Sequence, residues 1–222
     1  MTHLLRFVDR LLRSATLHRR SHVHEGAGTG LAIVVIGGAA YGAVMGCFGG
    51  FGSERSLQII FSAVKVPLLF AVTTVLAMPS FFILNSLLGL RDDFAEAVRA
   101  VVVTQSAVAI VLASLAPYTA LWYASTIDYN EAFVFNALMF AVASASAQWV
   151  LRRRYAPLIA RNPLHHVMLW GWLVVYAFVG IQMGWVLRPF IGQPGLAPTF
   201  FRDGAWGNAY VVVLESMWRV LR

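Results

Sequence analysis

Chemistry needs reactive groups within reach of one another, and this chain offers few. His18, His22 and His24 are spaced closely enough to gather a metal, but their segment supplies no fourth ligand, so no metal site is read there. Asp92 and Asp93 follow Arg91 in a short polar stretch, where a solvated turn accounts for them. Asp128 and Glu131 precede a hydrophobic run, where an N-cap and a first-turn acid satisfy free backbone N–H groups. Lys65 opens "KVPLLF" and Arg188 closes the last apolar run in "MGWVLRPFIGQP". Both stand where a long cationic side chain reaches the headgroups; for Lys65 a buried functional amine is the alternative. Cys47, the single cysteine, excludes an intramolecular disulfide or a cysteine metal cage and reads as a small packing residue. There is no phosphate-binding glycine loop, zinc-protease signature or nucleophile elbow. No catalytic, metal-binding or cofactor-binding residue is assigned, and any cofactor stays unspecified.

The elements that would position these groups are hydrophobic and long. Of 222 residues, 59% are hydrophobic and only 12% charged, too much apolar surface for one soluble core to hide. Five segments reach the roughly 20 apolar residues that a membrane-crossing helix needs. They run over Gly28–Phe48, Val66–Leu88, Ala97–Trp122, Ala132–Leu151 and Val167–Leu187. The second lies in a longer apolar stretch, Leu57–Leu90, interrupted by Gln58, Lys65, Pro67 and Pro79, and must tilt, kink or enter the interface. The fold expected is an all-α membrane protein, a bundle of about five transmembrane helices with amphipathic interfacial helices at both ends. Its parts are a basic amphipathic segment over 1–27, a bundle over 28–187 and a tail with an amphipathic helix over 188–222. In the first segment Leu4, Leu5, Val8, Leu11, Leu12 and Ala15 share one face, with Arg6, Asp9, Arg10 and Arg13 opposite. In the tail Trp206, Tyr210, Val213, Leu214, Met217 and Leu221 form the apolar stripe. The arginine-rich start also fits a mitochondrial presequence and fits a cleaved secretory signal less well.

Span one carries the sharpest pattern. Gly38, Gly42, Gly46 and Gly50 recur every four residues and make a groove in which another helix backbone can lie close. Packing against the protein's own spans is the first reading, and contact with a second subunit is the other. Span four offers Ala141, Ala145 and Gln148 as a facing surface. Asn85, Gln105, Asn136, Gln148 and Gln182 are the amides within spans, expected to hydrogen-bond between helices rather than bind ions. None of the five span centres carries a charge, which argues against a proton-driven transporter.

Basic residues set the orientation. Eleven arginines fall before span one, between spans two and three, and between spans four and five, whereas "YASTIDYNE" has none. The positive-inside rule then puts the N-terminus in the cytoplasm and the C-terminus outside a cell inner (plasma) membrane. Their interspersion between apolar runs marks topology rather than nucleic-acid binding. The partners expected are membrane lipids, including anionic headgroups, and a membrane protein partner or a second copy of the chain. In this orientation Lys65, Asp128, Glu131 and Arg188 all lie near the outer interface, and an ion pair between Arg188 and an acid heading span four is expected.

The layout, with "RDDFAEAVRAVVV…LASLAPYTALW" entering a helix from a polar turn and leaving it at a proline, resembles the Yip (Ypt/Rab-interacting protein) membrane family over about residues 60–187. Eukaryotic members act through partners rather than catalysis. The resemblance therefore implies an assembly role, although the short N-terminal region and long outer tail depart from it. The function expected is a non-catalytic membrane scaffold or accessory subunit of a membrane complex. A small channel or transporter component is the alternative.

Overall fold

A computed structural model describes residues 23–50, 56–193 and 195–211. The amphipathic N-terminal segment, His18, His22, Arg55 and the greater part of the tail helix lie outside the described residues. All regular structure among the described residues is helical: α1 (Val23–Gly46), α2 (Ser56–Leu87), a 3-10 turn (Arg91–Asp93), α3 (Phe94–Ser125), α4 (Tyr129–Arg161) and α5 (Leu164–Val186). All five α-helices are long and apolar enough to cross a membrane. The protein is an all-α, multi-pass membrane bundle.

Three helices outrun the segments read from hydropathy. α2 and α3 have 32 residues each and α4 has 33, about 48 Å at 1.5 Å per residue against a hydrocarbon core of roughly 30 Å. Pro67 and Pro79 both lie inside α2, which continues through Lys65 to Ser56. Likewise, α4 does not end near Leu151. The arginines at 152–154 continue it, Pro157 lies within it, and only Asn162 and Pro163 separate it from α5.

Local chemistry explains the turns. Gly89 takes φ +70°, its N–H donates to Ser86 O, and Leu90 N–H donates to Asn85 O. That is the Schellman stop, which a residue with a Cβ adopts only with strain. At the other end of the bundle Asp128 Oδ1 accepts from Asn130 N at 2.7 Å and Glu131 N at 3.3 Å, capping α4.

The helices pack in the order α5–α2–α1–α3–α4, an arc whose two ends approach each other. Two apolar clusters hold it. Near the 3-10 turn Phe81, Val101, Leu151, Tyr155, Leu158 and Trp172 join α2, α3, α4 and α5. Toward the opposite end Tyr41, Phe48, Val66, Leu112, Met139 and Ala143 join α1, α2, α3 and α4, and no residue of α5 belongs to this cluster. The arc is therefore closed at the arginine-rich end and looser between α4 and α5 toward the end carrying the 187–211 tail.

Candidate functional site

The glycine groove is filled by the chain's own backbone. A Cβ on Gly42 would overlap the Ser62 carbonyl oxygen, one on Gly46 would lie 2.6 Å from Ile59 Cα, and one on Gly38 would lie 3.3 Å from Pro67 N. On a neighbouring face a Cβ on Gly37 would meet Ala109 O of α3 at 2.9 Å. Gly50 is not a fourth rung: it lies beyond the end of α1, at φ +103° and facing open space. Ala141 and Ala145 do not face the groove either, because α2 and α3 already occupy it; both are exposed.

Lys65 departs furthest from expectation. It does not snorkel to the outer headgroups but is fully buried. Its Nζ donates to Pro189 O at 2.7 Å and to Thr199 O at 3.4 Å, with the Phe200 ring 4.9 Å away. Strap carbonyls from the 187–200 segment take the place of headgroup and water. Two further buried polar groups follow the same face of α2: Gln58 donates to Ser62 Oγ, and Ser62 donates to Phe190 O. The spacing Gln58, Ser62, Lys65 was present in the sequence, one polar residue per turn on an otherwise apolar helix.

The expected pair between Arg188 and an acid does not form among the described residues. Asp128 is spent on the α4 cap, Glu131 accepts from the Thr126 hydroxyl, and the Arg188 guanidinium lies 3.3 Å from the centre of the Trp185 ring. Desolvation, and then the charge of Arg202, press the Arg188 pKa downward, though a guanidinium keeps its proton in proteins. At the arginine-rich end His165 is buried, with Nε2 3.0 Å from Asp93 Oδ2. Asp93 also pairs with Arg161 at 3.3 Å, and Arg161 reaches Glu96 at 3.0 Å. Asp93 and Glu96 thus tie the start of α3 to the α4–α5 hairpin, while Asp92 is exposed, as a solvated turn requires.

Of the five amides, Asn85 donates to Phe81 O within its own helix rather than between helices; the other four divide into two kinds. Asn136 accepts from the Tyr41 hydroxyl at 3.0 Å and donates to Tyr123 and to Ala132 O. Gln182 donates to Gly207 O and accepts from Ala209 N, holding the tail. Both serve as structural cross-links. Gln105 and Gln148 differ: their Oε1 atoms, and Thr73 Oγ1, are buried without a hydrogen-bond partner, although the Gln105 side chain also meets the Tyr176 hydroxyl of α5. All three border one cleft of about 390 Å³ enclosed by α2, α3, α4 and α5. Thr73, Gln105, Gln148 and Tyr176 each lie well inside their helices, so the cleft sits at mid-bundle depth. It opens sideways between α4 and α5, where Ser144, Ala177 and Ile181 are exposed. Among the described residues its lining holds no carboxylate, histidine, lysine or arginine. Sequence reading found Gln105 and Gln148 but not that they would share one opening with Thr73.

Cys47 donates to Ala43 O at 3.1 Å, and burial pushes its thiol pKa up, away from nucleophilic chemistry. Comparisons with protein-family models, with curated proteins and with solved structures found no match to this chain.

Proposed function

We propose that this protein is a non-catalytic scaffold or accessory subunit of a membrane complex. In this reading it sits in a cell inner membrane with its N-terminus cytoplasmic and its C-terminus outside. The observation that carries the reading is the face that the bundle leaves uncovered on α4. Ala137, Ala141 and Ala145 recur every four residues there and are exposed, with Ser144 beside them. Small residues in that register let a second helix backbone approach closely, and lipid tails gain nothing comparable from them. The glycine groove of α1 is already occupied, so we assign the small-residue face of α4 to a transmembrane helix of a partner subunit. The Yip-like layout supports the same reading by analogy. Purification in mild detergent should yield a stoichiometric partner, or a second copy of the chain. Ala141→Trp should remove it without lowering the melting temperature. A lone monomer for the wild type would refute the proposal.

One observation favours the alternative, a small channel or transporter component: the uncharged polar cleft. Solute flux in proteoliposomes containing this protein alone would establish it, and equal leakage with and without protein would dismiss it.

A further inference from the structure

We infer that the cleft between α2, α3, α4 and α5 is a binding site for a neutral, hydroxyl-bearing amphiphile drawn from the bilayer. Thr73 is 1% exposed and Gln105 8%; each carries a buried oxygen without a partner, as Gln148 does, and all three residues line the cleft. Such groups at mid-bundle depth cost free energy until something hydrogen-bonds them. Two carboxamides and a hydroxyl are complemented by a group that both donates and accepts, which is what an alcohol does. A cation is disfavoured because no carboxylate faces the cleft, and an anion because no basic side chain does. Apart from the hydroxyls of Thr104, Ser144 and Tyr176, the rest of the wall is apolar and aromatic, with Phe70, Phe140 and Trp172 at its sides. That suits the chain or ring behind the hydroxyl, and the volume falls within the roughly 300–1,000 Å³ of small-molecule sites. Access is lateral. Ser144, Ala177 and Ile181 are exposed at the α4–α5 opening, so the ligand enters from lipid rather than from water. The inference does not rest on the scaffold reading: the interior of the arc carries it, although Ser144 at its mouth flanks the Ala137–Ala141–Ala145 face.

Trp172 is 2% exposed and borders the cleft, so it reports occupancy. The protein would be placed in nanodiscs and titrated with a monoacylglycerol whose acyl chain carries two bromines. The methyl ester of the same brominated acid, which has no hydroxyl, serves as the second probe. The contribution of Trp172 is the quenching lost in Trp172→Phe. Saturable quenching by the monoacylglycerol is expected, with only a linear, unsaturable response to the ester. Thr73→Val combined with Gln105→Met should raise the half-saturating concentration by about tenfold, the loss expected for one to two neutral hydrogen bonds. Ser144→Phe, at the exposed mouth and one turn from Gln148 but on a different helix from Thr73 and Gln105, should abolish saturation by blocking entry; it carries the test if the double variant does not fold. Equal quenching by both probes, or no saturation with either, would overturn the inference and leave the cleft to water or lipid tails. So would a Ser144→Phe curve that superimposes on the wild type.

Discussion

Replacing Gly46 or Gly42 by alanine adds one methyl group to a seam where two helix backbones already touch. At Gly46 the new Cβ would sit 2.6 Å from Ile59 Cα and 2.8 Å from Gln58 O. Ordinary carbon contacts lie at about 3.5–4.0 Å, so α1 and α2 must part by roughly 1 Å. A gap of that size forfeits about a quarter to a half of the dispersion attraction along the seam. The neighbours are main-chain atoms, so no rotamer change can relieve the overlap. The cost belongs in the upper half of the about 1–3 kcal/mol typical of overpacking. For a chain of this size that corresponds to a fall in melting temperature of roughly 4–12 °C. The double variant should cost less than the sum of the two singles, because one displacement of α2 relieves both overlaps. Since Ser62 also bonds the Phe190 carbonyl, the displacement should loosen the 187–200 strap and speed its proteolysis. Gly28→Ala is the matched control: on the same helix, a Cβ there meets nothing within 4 Å, and it should be neutral or slightly stabilising through helix propensity. The assay is thermal unfolding in detergent, followed by intrinsic fluorescence. Gly42→Ala and Gly46→Ala melting within about 1 °C of Gly28→Ala would refute the packing argument, which sets their cost at several degrees.

Other consequences follow from the same contacts. Asn136→Ala should cost about 1–2 kcal/mol, because it strands the Tyr41 and Tyr123 hydroxyls in the cluster around Leu112 and Met139; Tyr41→Phe should cost less, and melting temperatures check both. Lys65→Met keeps the length and removes the charge, so the 187–200 segment should exchange amide hydrogens faster while α1–α3 stay protected; unchanged exchange there would show that the lysine does not hold the strap. Cys47, with its thiol pKa pushed up, should react with a maleimide more slowly at pH 7 than an exposed cysteine placed at Ile127, and the gap should narrow as the pH rises. A reporter active only in the cytoplasm should work when fused after Ala15 and fail after Arg222, whereas activity at both positions would contradict an odd number of spans.

Much of this architecture is written in hydropathy, because a bilayer requires every span to be apolar and to satisfy its own backbone. The five spans were legible for that reason, and so was the Asp128 cap, which depends only on neighbouring residues. What hydropathy cannot carry is how far a helix continues once it leaves the hydrocarbon. α4 runs on through Arg152–Arg154 because arginine is a good helix former and long enough to reach water from a helix flank. Lys65 misled for a different reason. Its partners are carbonyls of residues 189 and 199, more than a hundred positions away, and backbone carbonyls leave no trace in side-chain identity. The Arg188 pair failed because local demands came first: a cap for α4 took Asp128, and an indole ring one turn away took the guanidinium. The glycine spacing correctly marked a close approach but could not name the neighbour. In the cleft, the sequence showed the amides as separate residues, and only the arc α5–α2–α1–α3–α4 brings them to one opening.

The claim that this protein works by assembly rests on the uncovered α4 face, and site-specific photocrosslinking in native membranes tests it most directly. A photoreactive residue placed at Ala145 should give a discrete adduct whose mass exceeds that of the chain by one membrane subunit. Ala141→Trp in the same background should suppress it. The same residue placed at Val174, on the exposed flank of α5, should react with lipid alone. If Ala145 gives only the lipid products seen at Val174, nothing docks on α4 and the assembly reading is wrong.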